Sequence, residues 1–187
     1  MSKLIYITNT SLDGYIEDET GAFDWTNPDE AVFTFITGLL VQIGTHLYGR
    51  RLYETMAYWE SPPEGSSPDD LEFARIWQNA DKIVFSRTLT APNTRNTRVE
   101  RDFSFEAIRQ LKREAEQDMF IGGAELAGLA LEADLVDECQ LFVNPIVIGD
   151  GKPAFRAGLR RNLELLETRR FENGIVHVRY RVRGGTT

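Results

Sequence analysis

Residues 119–126 read MFIGGAEL, which is an apolar run, a pair of glycines and the start of an alanine- and leucine-rich segment. The apolar run predicts a buried strand and residues 124–133 predict a helix, with the glycines as the turn between them. Glycines let backbone N–H groups approach a phosphate closely, and a helix N-terminus favours an anion. Because two glycines fall short of the three-glycine dinucleotide motif, a phosphate site and a tight structural turn are equally open.

Outward from this turn, strand-like and helix-like segments alternate along the chain. The predicted strands are 3–9, 45–48, 82–86, 97–101, 119–121 and 139–144, and the predicted helices are 31–43, 69–80, 103–116, 124–133 and one beginning at 49. Such alternation predicts a mostly parallel sheet with helices on both faces. Residues 163–171 and 175–182, joined at Asn173-Gly174, predict a closing antiparallel hairpin and therefore a mixed sheet.

Two local patterns carry more detailed expectations. Asn27 suits a helix N-cap and Pro28 a first helical position, so the first helix is expected to begin there. In the last strand, valines at 176, 178 and 182 alternate with polar residues, which predicts that the valines are buried and that His177 is exposed.

Composition excludes several classes of protein. The chain has 187 residues, a formal net charge of −8, one cysteine and two histidines. We expect one α/β domain over residues 1–187 without an internal disulfide, and a Cys/His zinc site is excluded by the same counts. The acidic balance argues against nucleic-acid binding. The absence of a long apolar stretch or a signal-like N-terminus predicts a cytoplasmic protein without a membrane segment.

Further candidate ligand sites follow other predicted strands. Gly49, Arg50 and Arg51 lie between a strand and a helix, where arginine can hold a phosphate, although a solvated helix start explains them as well. Ser86 and Arg87 follow the next strand and suit a ribose phosphate, which would favour NADP, although a surface turn is the plainer explanation.

The substrate side is expected near the first strand. Asp13 and Gly14 follow that strand, and Asp13 is a candidate catalytic acid or simply part of an Asp-Gly turn. Trp25, with Tyr53 and Trp59, can wall a flat ring, although such aromatic residues are more often core. Each signal is weak alone, but several at strand ends predict one ligand-binding edge.

Taken together, the motifs resemble the dihydrofolate-reductase-like family that includes the C-terminal reductase domain of the bifunctional riboflavin-biosynthesis deaminase/reductase. The resemblance covers about residues 3–182 and is carried by the following segments: 3–16 (KLIYITNTSLDGYI), 24–25 (DW), 47–54 (LYGRRLYE), 82–88 (KIVFSRT), 121–123 (IGG) and 145–155 (PIVIGDGKPAF). It implies a three-layer fold, NADPH as cofactor and a homodimer.

By position, the resemblance also implies roles for individual residues. Cofactor phosphates would be held by Gly49, Arg50, Arg51, Ser86 and Arg87, and the pyrophosphate by Ile121, Gly122, Gly123, Ala124, Glu125 and Leu126. Asn9, Asp13, Gly14 and Trp25 would line the nicotinamide and substrate. The chain departs from the family at Leu52, where a threonine is common. It also has no zinc deaminase ligands and no clear acidic proton donor, although Asp29 or Glu30 lies near that place.

The first functional hypothesis is therefore a stand-alone NADPH-dependent reductase. It would act on a C=N or C=O bond of a small heterocyclic or carbonyl metabolite, with reduction of 5-amino-6-(5-phosphoribosylamino)uracil as one version. The alternatives are a non-catalytic nucleotide- or metabolite-binding homodimer and a purely structural or regulatory dimer.

Overall fold

The computed structural model describes residues 1–26 and 28–184. The strands are β1 Leu4–Thr10, β2 Tyr15–Glu17, β3 Ile43–Gly49, β4 Asp81–Phe85, β5 Thr97–Glu100, β6 Asp118–Gly122, β7 Glu138–Val143, β8 Lys152–Pro153, β9 Asn162–Arg170 and β10 Val176–Arg183. The α-helices are α1 Glu30–Leu40, α2 Arg50–Met56, α3 Pro68–Asn79, α4 Phe105–Glu114 and α5 Ala124–Glu132. Short 3-10 turns lie at Asp24–Thr26 and Ala57–Glu60.

The described strands form one large mixed sheet and one small one. The large sheet has eight strands in the order β5-β4-β3-β6-β1-β7-β10-β9. Strands β5, β4, β3, β6, β1 and β7 pair in parallel, whereas β10 pairs antiparallel with both β7 and β9. The predicted mostly parallel sheet with a C-terminal hairpin is therefore confirmed.

Helices cover both faces of this sheet. Leu4 and Tyr6 of β1 share a core with α4 and α5, through residues such as Ile108 and Leu131. Ile7 points to the opposite face, because successive side chains of a strand alternate, and it packs with residues of α1 and α3. The three-layer arrangement expected from the sequence is confirmed, whereas the assignment of residues 1–187 to one domain stays a prediction.

The start and end of α1 differ from the expectation. Asp29 is the N-cap, and its carboxylate accepts a hydrogen bond of 2.9 Å from the backbone N–H of Val32. Pro28 precedes this cap and is not a first helical residue, while Asn27 lies outside the described residues. The helix ends at Leu40, and Ile43 already belongs to β3, so its inclusion in the helix was wrong. Its apolar side chain fits both patterns, because α1 and β3 bury residues in the same core.

The expectation for the hairpin was also wrong in one respect. His177 is fully buried, in contact with the rings of Phe35 and Phe142, whereas Val176 and Val178 are only half-buried. The physical reason is the position of α1, which covers the sheet face to which His177 points. Alternation shows that two faces exist, but only packing decides which one is covered.

A small two-stranded sheet was missed. β2 pairs antiparallel with β8, in segments for which the sequence predicted no strand. Gly151, at φ 146°, passes so close to this strand that a Cβ there would lie 2.0 Å from the carbonyl oxygen of Glu17. The segment 145–154 is thus attached to the segment that follows β1.

None of the helices in the described ranges is both long enough and apolar enough to cross a membrane.

Candidate functional site

The predicted ligand-binding residues follow strands that run in the same direction. The carboxyl ends of β1, β3, β4, β6 and β7 lie at one edge of the sheet, because these strands pair in parallel. The segments that leave this edge are 11–14, 49–51, 86–88, 122–126 and 144–151. The structure therefore brings the predicted cofactor and substrate segments to one edge, which is where ligands bind in open α/β sheets.

The turn at Gly122 and Gly123 has the geometry of an open backbone cradle. Gly123 has φ 90°, a conformation that L side chains rarely adopt, and it is the N-cap of α5 without a side-chain cap. A Cβ at Gly123 would meet no described atom within 4 Å, so the side-chain position of this half-buried glycine faces open space. Since α5 opens directly from the turn, its unpaired N–H groups are available to an anion.

Gly122 connects this turn to the next one. A Cβ at Gly122 would lie 2.3 Å from Leu52 Cδ2 of α2 and 2.7 Å from Phe120 Cζ. Any larger residue at position 122 would require Leu52 of α2 or Phe120 of β6 to move. The 49–51 turn and the 122–123 turn are therefore neighbours in space.

Arg50 and Arg51 are both exposed at the start of α2. The Arg50 guanidinium donates to Glu54 Oε1 at 2.7 Å and to Thr88 Oγ1 at 2.8 Å. Arg50 thus bridges the turns that follow β3 and β4. Its exposed ion pair with Glu54 contributes little to stability, so a phosphate can take the place of Glu54 at small cost.

Ser86 and Arg87 have different surroundings, although they are adjacent in sequence. Ser86 Oγ accepts hydrogen bonds from the backbone N–H groups of Thr88 and Leu89 at 3.2 and 3.0 Å, so the hydroxyl shapes its own turn. Arg87 donates to Asp102 at 2.7 Å, with both side chains mostly exposed. Arg87 is therefore free to reorient toward a ligand, whereas Ser86 is already engaged.

Asp13 holds the segment that follows β7. Its carboxylate accepts hydrogen bonds from the backbone N–H of Gly149 at 2.8 Å and of Ile148 at 3.3 Å, and Gly14 at φ 90° completes the turn. The neighbouring Ser11 hydroxyl, followed by these N–H groups, holds the pKa of Asp13 below its ordinary value. An ionised carboxylate with both oxygens engaged has no proton to donate. The geometry of Asp13 therefore fits a residue that holds the backbone of segment 148–149 better than it fits a general acid. A catalytic role for Asp13 stays a prediction.

Asn9 and Trp25 show a different feature. The Asn9 side-chain Oδ1 and the Trp25 indole Nε1 are both inaccessible to solvent and have no hydrogen-bond partner within residues 1–26 and 28–184. Tyr53 and Trp59, the other two aromatic candidates for a ring wall, pack in apolar clusters with Val84 and Phe73 respectively. Both residues therefore pack in the core, which is the alternative to a ring wall that the sequence analysis gave.

A buried polar network beneath the 49–51 turn escaped the sequence analysis. Trp77 Nε1 donates to the Tyr48 hydroxyl at 3.0 Å, and that hydroxyl lies 2.7 Å from His46 Nδ1. The Tyr48 hydroxyl accepts from Trp77, and its hydrogen bond with Nδ1 is compatible with either neutral tautomer of His46. Burial, with Lys82 nearby, lowers the pKa of His46 to about 3, so the ring is neutral. The one available signal was the i, i+2 spacing of His46 and Tyr48 in a strand.

Within the two described ranges, no group of three or more His, Cys, Asp or Glu side chains is placed to hold a metal ion.

Comparison with known proteins places this chain in a family. The model of the RibD C-terminal domain matches residues 2–177. The uncharacterized protein YyaP of Bacillus subtilis is 33% identical over 187 residues, covering 97% of this chain and 96% of that protein.

Solved structures agree on the fold. A putative riboflavin biosynthesis protein from Shewanella sp. PV-4 superposes with a TM-score of 0.76 at 21% identity, covering 97% of this chain and 99% of that one. Dihydrofolate reductase from Enterococcus faecalis, complexed with NADP(H), superposes with a TM-score of 0.64 at 17% identity, covering 96% of each chain. The fold is dihydrofolate-reductase-like, and the chain belongs to the family of the RibD C-terminal domain.

Proposed function

We propose that this protein is an NADPH-dependent reductase. It transfers hydride to a C=N or C=O bond of a small heterocyclic or carbonyl metabolite, with 5-amino-6-(5-phosphoribosylamino)uracil as the model of such a substrate. Family membership supports the reaction class, and a structural neighbour complexed with NADP(H) supports the cofactor. The observation that carries the proposal is the set of neighbouring turns at one sheet edge, with an open glycine cradle at their centre.

The residues present fit a dinucleotide. Gly123 leaves open space beside the N-terminus of α5, where a pyrophosphate would meet free N–H groups. Arg50 would exchange its exposed partner Glu54 for a phosphate, and Arg87 would exchange Asp102 for the ribose phosphate. When bound, NADPH supplies the hydride, and the protein supplies position and electrostatics.

The proton that completes the reduction comes, in this proposal, from water. Asp13 is ionised and bound to backbone N–H groups, and Asp29 caps α1. Both carboxylates therefore act in the fold, and neither is required as the acid.

A matched pair of arginine variants tests the cofactor site. Arg50 and Arg75 each form an exposed ion pair along a helix, Arg50 with Glu54 and Arg75 with Glu72. Because exposed pairs contribute similarly little to stability, Arg50→Gln and Arg75→Gln differ mainly at the ligand edge, which Arg50 faces and where it also bonds Thr88. We expect NADPH to raise the thermal midpoint of the wild type and of Arg75→Gln, and to raise that of Arg50→Gln much less.

Turnover is then followed as NADPH oxidation with pyrimidine, pterin and simple carbonyl substrates. A wild-type protein whose midpoint does not respond to NADPH would refute the cofactor site. Binding of NADPH without oxidation on any of these substrates would favour the alternative, a non-catalytic nucleotide-binding protein. That alternative is motivated by the engaged carboxylate of Asp13.

We also propose that the protein is a homodimer, through the sheet face opposite to His177. Side chains paired directly across neighbouring strands share a face, so Leu165 of β9 lies beside Tyr180 of β10 and Leu163 lies beside Val182. The side chains of Leu163 and Leu165 are 41% and 53% exposed. Val176 and Val178, on the same face, are half-buried. Exposed apolar side chains gathered on one sheet face in this way are typical of an isologous interface.

The mass of the protein in solution tests this interface. Leu165→Glu should give a monomer by light scattering, while Leu71→Glu, at an exposed leucine of α3, should leave the dimer intact. A monomeric wild-type protein would overturn the proposal.

A further inference from the structure

The turn that follows β4 is held in one shape by the side chains of Ser86 and Arg101. Ser86 Oγ accepts from the backbone N–H groups of Thr88 and Leu89 at 3.2 and 3.0 Å. Arg101, just beyond β5, donates through Nη1 to the carbonyl oxygens of Ser86 and Leu89 at 3.0 and 2.8 Å. Because these backbone groups are already bonded, the turn is a preorganised base for the side chain of Arg87.

The Arg87 side chain leaves this turn and meets a carboxylate. Its guanidinium donates to Asp102 Oδ1 at 2.7 Å. Asp102 directly follows Arg101, so the same short segment both fixes the turn and supplies the acid that pairs with Arg87. The two side chains are 82% and 74% exposed, so water solvates the pair and either group can change partner at small cost. A ligand that reaches Arg87 therefore meets a cation and a carboxylate together.

A second cation reaches the same turn. Arg50 Nη1 donates to Thr88 Oγ1 at 2.8 Å, so Arg50 and Arg87 are held at adjacent residues of one turn. This is the part of the ligand edge where the proposed function places the adenosine ribose. That ribose carries a 2′-phosphate in NADPH and a 2′-hydroxyl in NADH. An arginine favours the phosphate, whereas a carboxylate favours the hydroxyl and repels the phosphate.

We propose that Asp102 limits the preference of this protein for NADPH over NADH, because it competes with the 2′-phosphate for Arg87. The inference rests on the proposed function and adds a specificity-determining residue to its cofactor site. When NADPH binds, Arg87 leaves Asp102 for the phosphate, and the carboxylate left behind repels that phosphate. When NADH binds, Arg87 keeps Asp102, whose carboxylate can accept a hydrogen bond from the 2′-hydroxyl.

The test measures the dissociation constants of NADPH and NADH by calorimetry. Asp102→Asn should tighten NADPH binding about two- to fivefold, the range of an exposed ion pair, and should not tighten NADH binding. Arg87→Gln should weaken NADPH binding about tenfold and leave NADH binding nearly unchanged. In the Arg87→Gln background, Asp102→Asn should gain less for NADPH than it gains in the wild type, because competition requires the arginine.

Glu100→Gln is the matched control. Glu100 is an exposed carboxylate two residues before Asp102, and it pairs with Arg98 at 3.3 Å instead of with Arg87. The substitution removes the same charge from the same segment, so it should leave both dissociation constants unchanged. Adenosine 2′,5′-bisphosphate and AMP repeat the comparison without the nicotinamide, and they should show the same pattern as NADPH and NADH.

Two results would overturn the inference. One is an Asp102→Asn protein that binds NADPH no more tightly than the wild type or the Glu100→Gln control. The other is a gain from Asp102→Asn that is equally large without Arg87. Either result leaves the proposed reductase standing if NADPH raises the thermal midpoint and is oxidised. Conversely, the expected affinities without oxidation of NADPH on any substrate would refute the reductase and support the inference for a nucleotide-binding protein.

Discussion

Replacing Gly122 with alanine should destabilise the protein through one identifiable contact. The new Cβ would lie 2.3 Å from Leu52 Cδ2 and 2.7 Å from Phe120 Cζ, whereas carbon atoms in contact prefer about 3.5–4.0 Å. Both atoms are the far ends of half-buried side chains in the cluster around Tyr48 and Val84, so these side chains must shift against that cluster to make room. Overpacking of this kind costs about 1–3 kcal/mol. For a chain of this size that loss lowers Tm by roughly 2–12 °C.

A double-mutant cycle identifies the contact. Leu52→Ala removes the nearer clashing atom, so the Gly122→Ala substitution should cost at least about 0.5 kcal/mol less in the Leu52→Ala background than in the wild type. The rescue is partial, because the contact with Phe120 remains. The free energy of unfolding is measured by urea denaturation for all four proteins.

Gly123→Ala is the matched control. Its Cβ would meet no described atom within 4 Å, and its cost comes from φ 90°, a backbone strain of about 1–3 kcal/mol. Leu52→Ala cannot relieve that strain. Wild-type stability of Gly122→Ala, or equal rescue of both glycine variants by Leu52→Ala, would refute the inferred contact between the two turns.

Three further outcomes are expected. Folding lowers the pKa of His46 from 6.5 to about 3, so the unfolded chain takes up a proton first as the pH falls. The contribution of this shift to the free energy of unfolding should be fully present above pH 6.5 and be lost as the pH falls toward 3. His46→Gln should make that decline shallower in acid denaturation, and an unchanged slope would contradict the buried neutral ring. Asp13→Asn should lower the melting temperature but leave the pH profile of NADPH oxidation unchanged, whereas loss of one limb of the profile would restore Asp13 as the acid. Burial raises the pKa of Cys139 to about 12, so thiol reagents should label it only as fast as the protein unfolds.

Much of the fold was predictable, because local patterns report local structure. The apolar run before Gly122, the alternation of strands and helices and the Asn173-Gly174 turn each depend on neighbouring residues. The structure confirms the strand, the helix and the hairpin that these patterns predicted. The gathering of the candidate ligand segments at one edge also followed, because the carboxyl ends of parallel strands must meet at one side of a sheet.

The predicted start and end of α1 were wrong because the residues there fit more than one local structure. Ile43 suits the apolar face of a helix as well as the start of a strand. Asn27, Pro28 and Asp29 all suit a helix start, and the hydrogen bond to Val32 that selects Asp29 is a matter of side-chain geometry.

The contacts in the candidate site depend on the tertiary structure more than the strands and helices do. Asp13 is an Asp-Gly turn residue in the sequence, and its contact with Gly149 joins segments 136 residues apart. The sequence likewise places Asn9 and Trp25 near the first strand and α1, but it does not show that one buried atom of each has no partner among residues 1–26 and 28–184.

By itself, then, the sequence determined the element types, their order, the parallel sheet with its closing hairpin and the edge where glycines and arginines gather. The tertiary structure alone decided that His177 is buried, that Asp13 holds the neighbouring loop and that His46 lies in a neutral network. The physical reason is that backbone conformation follows from adjacent residues. Burial, hydrogen-bond partners and pKa instead depend on which distant segments pack against a side chain.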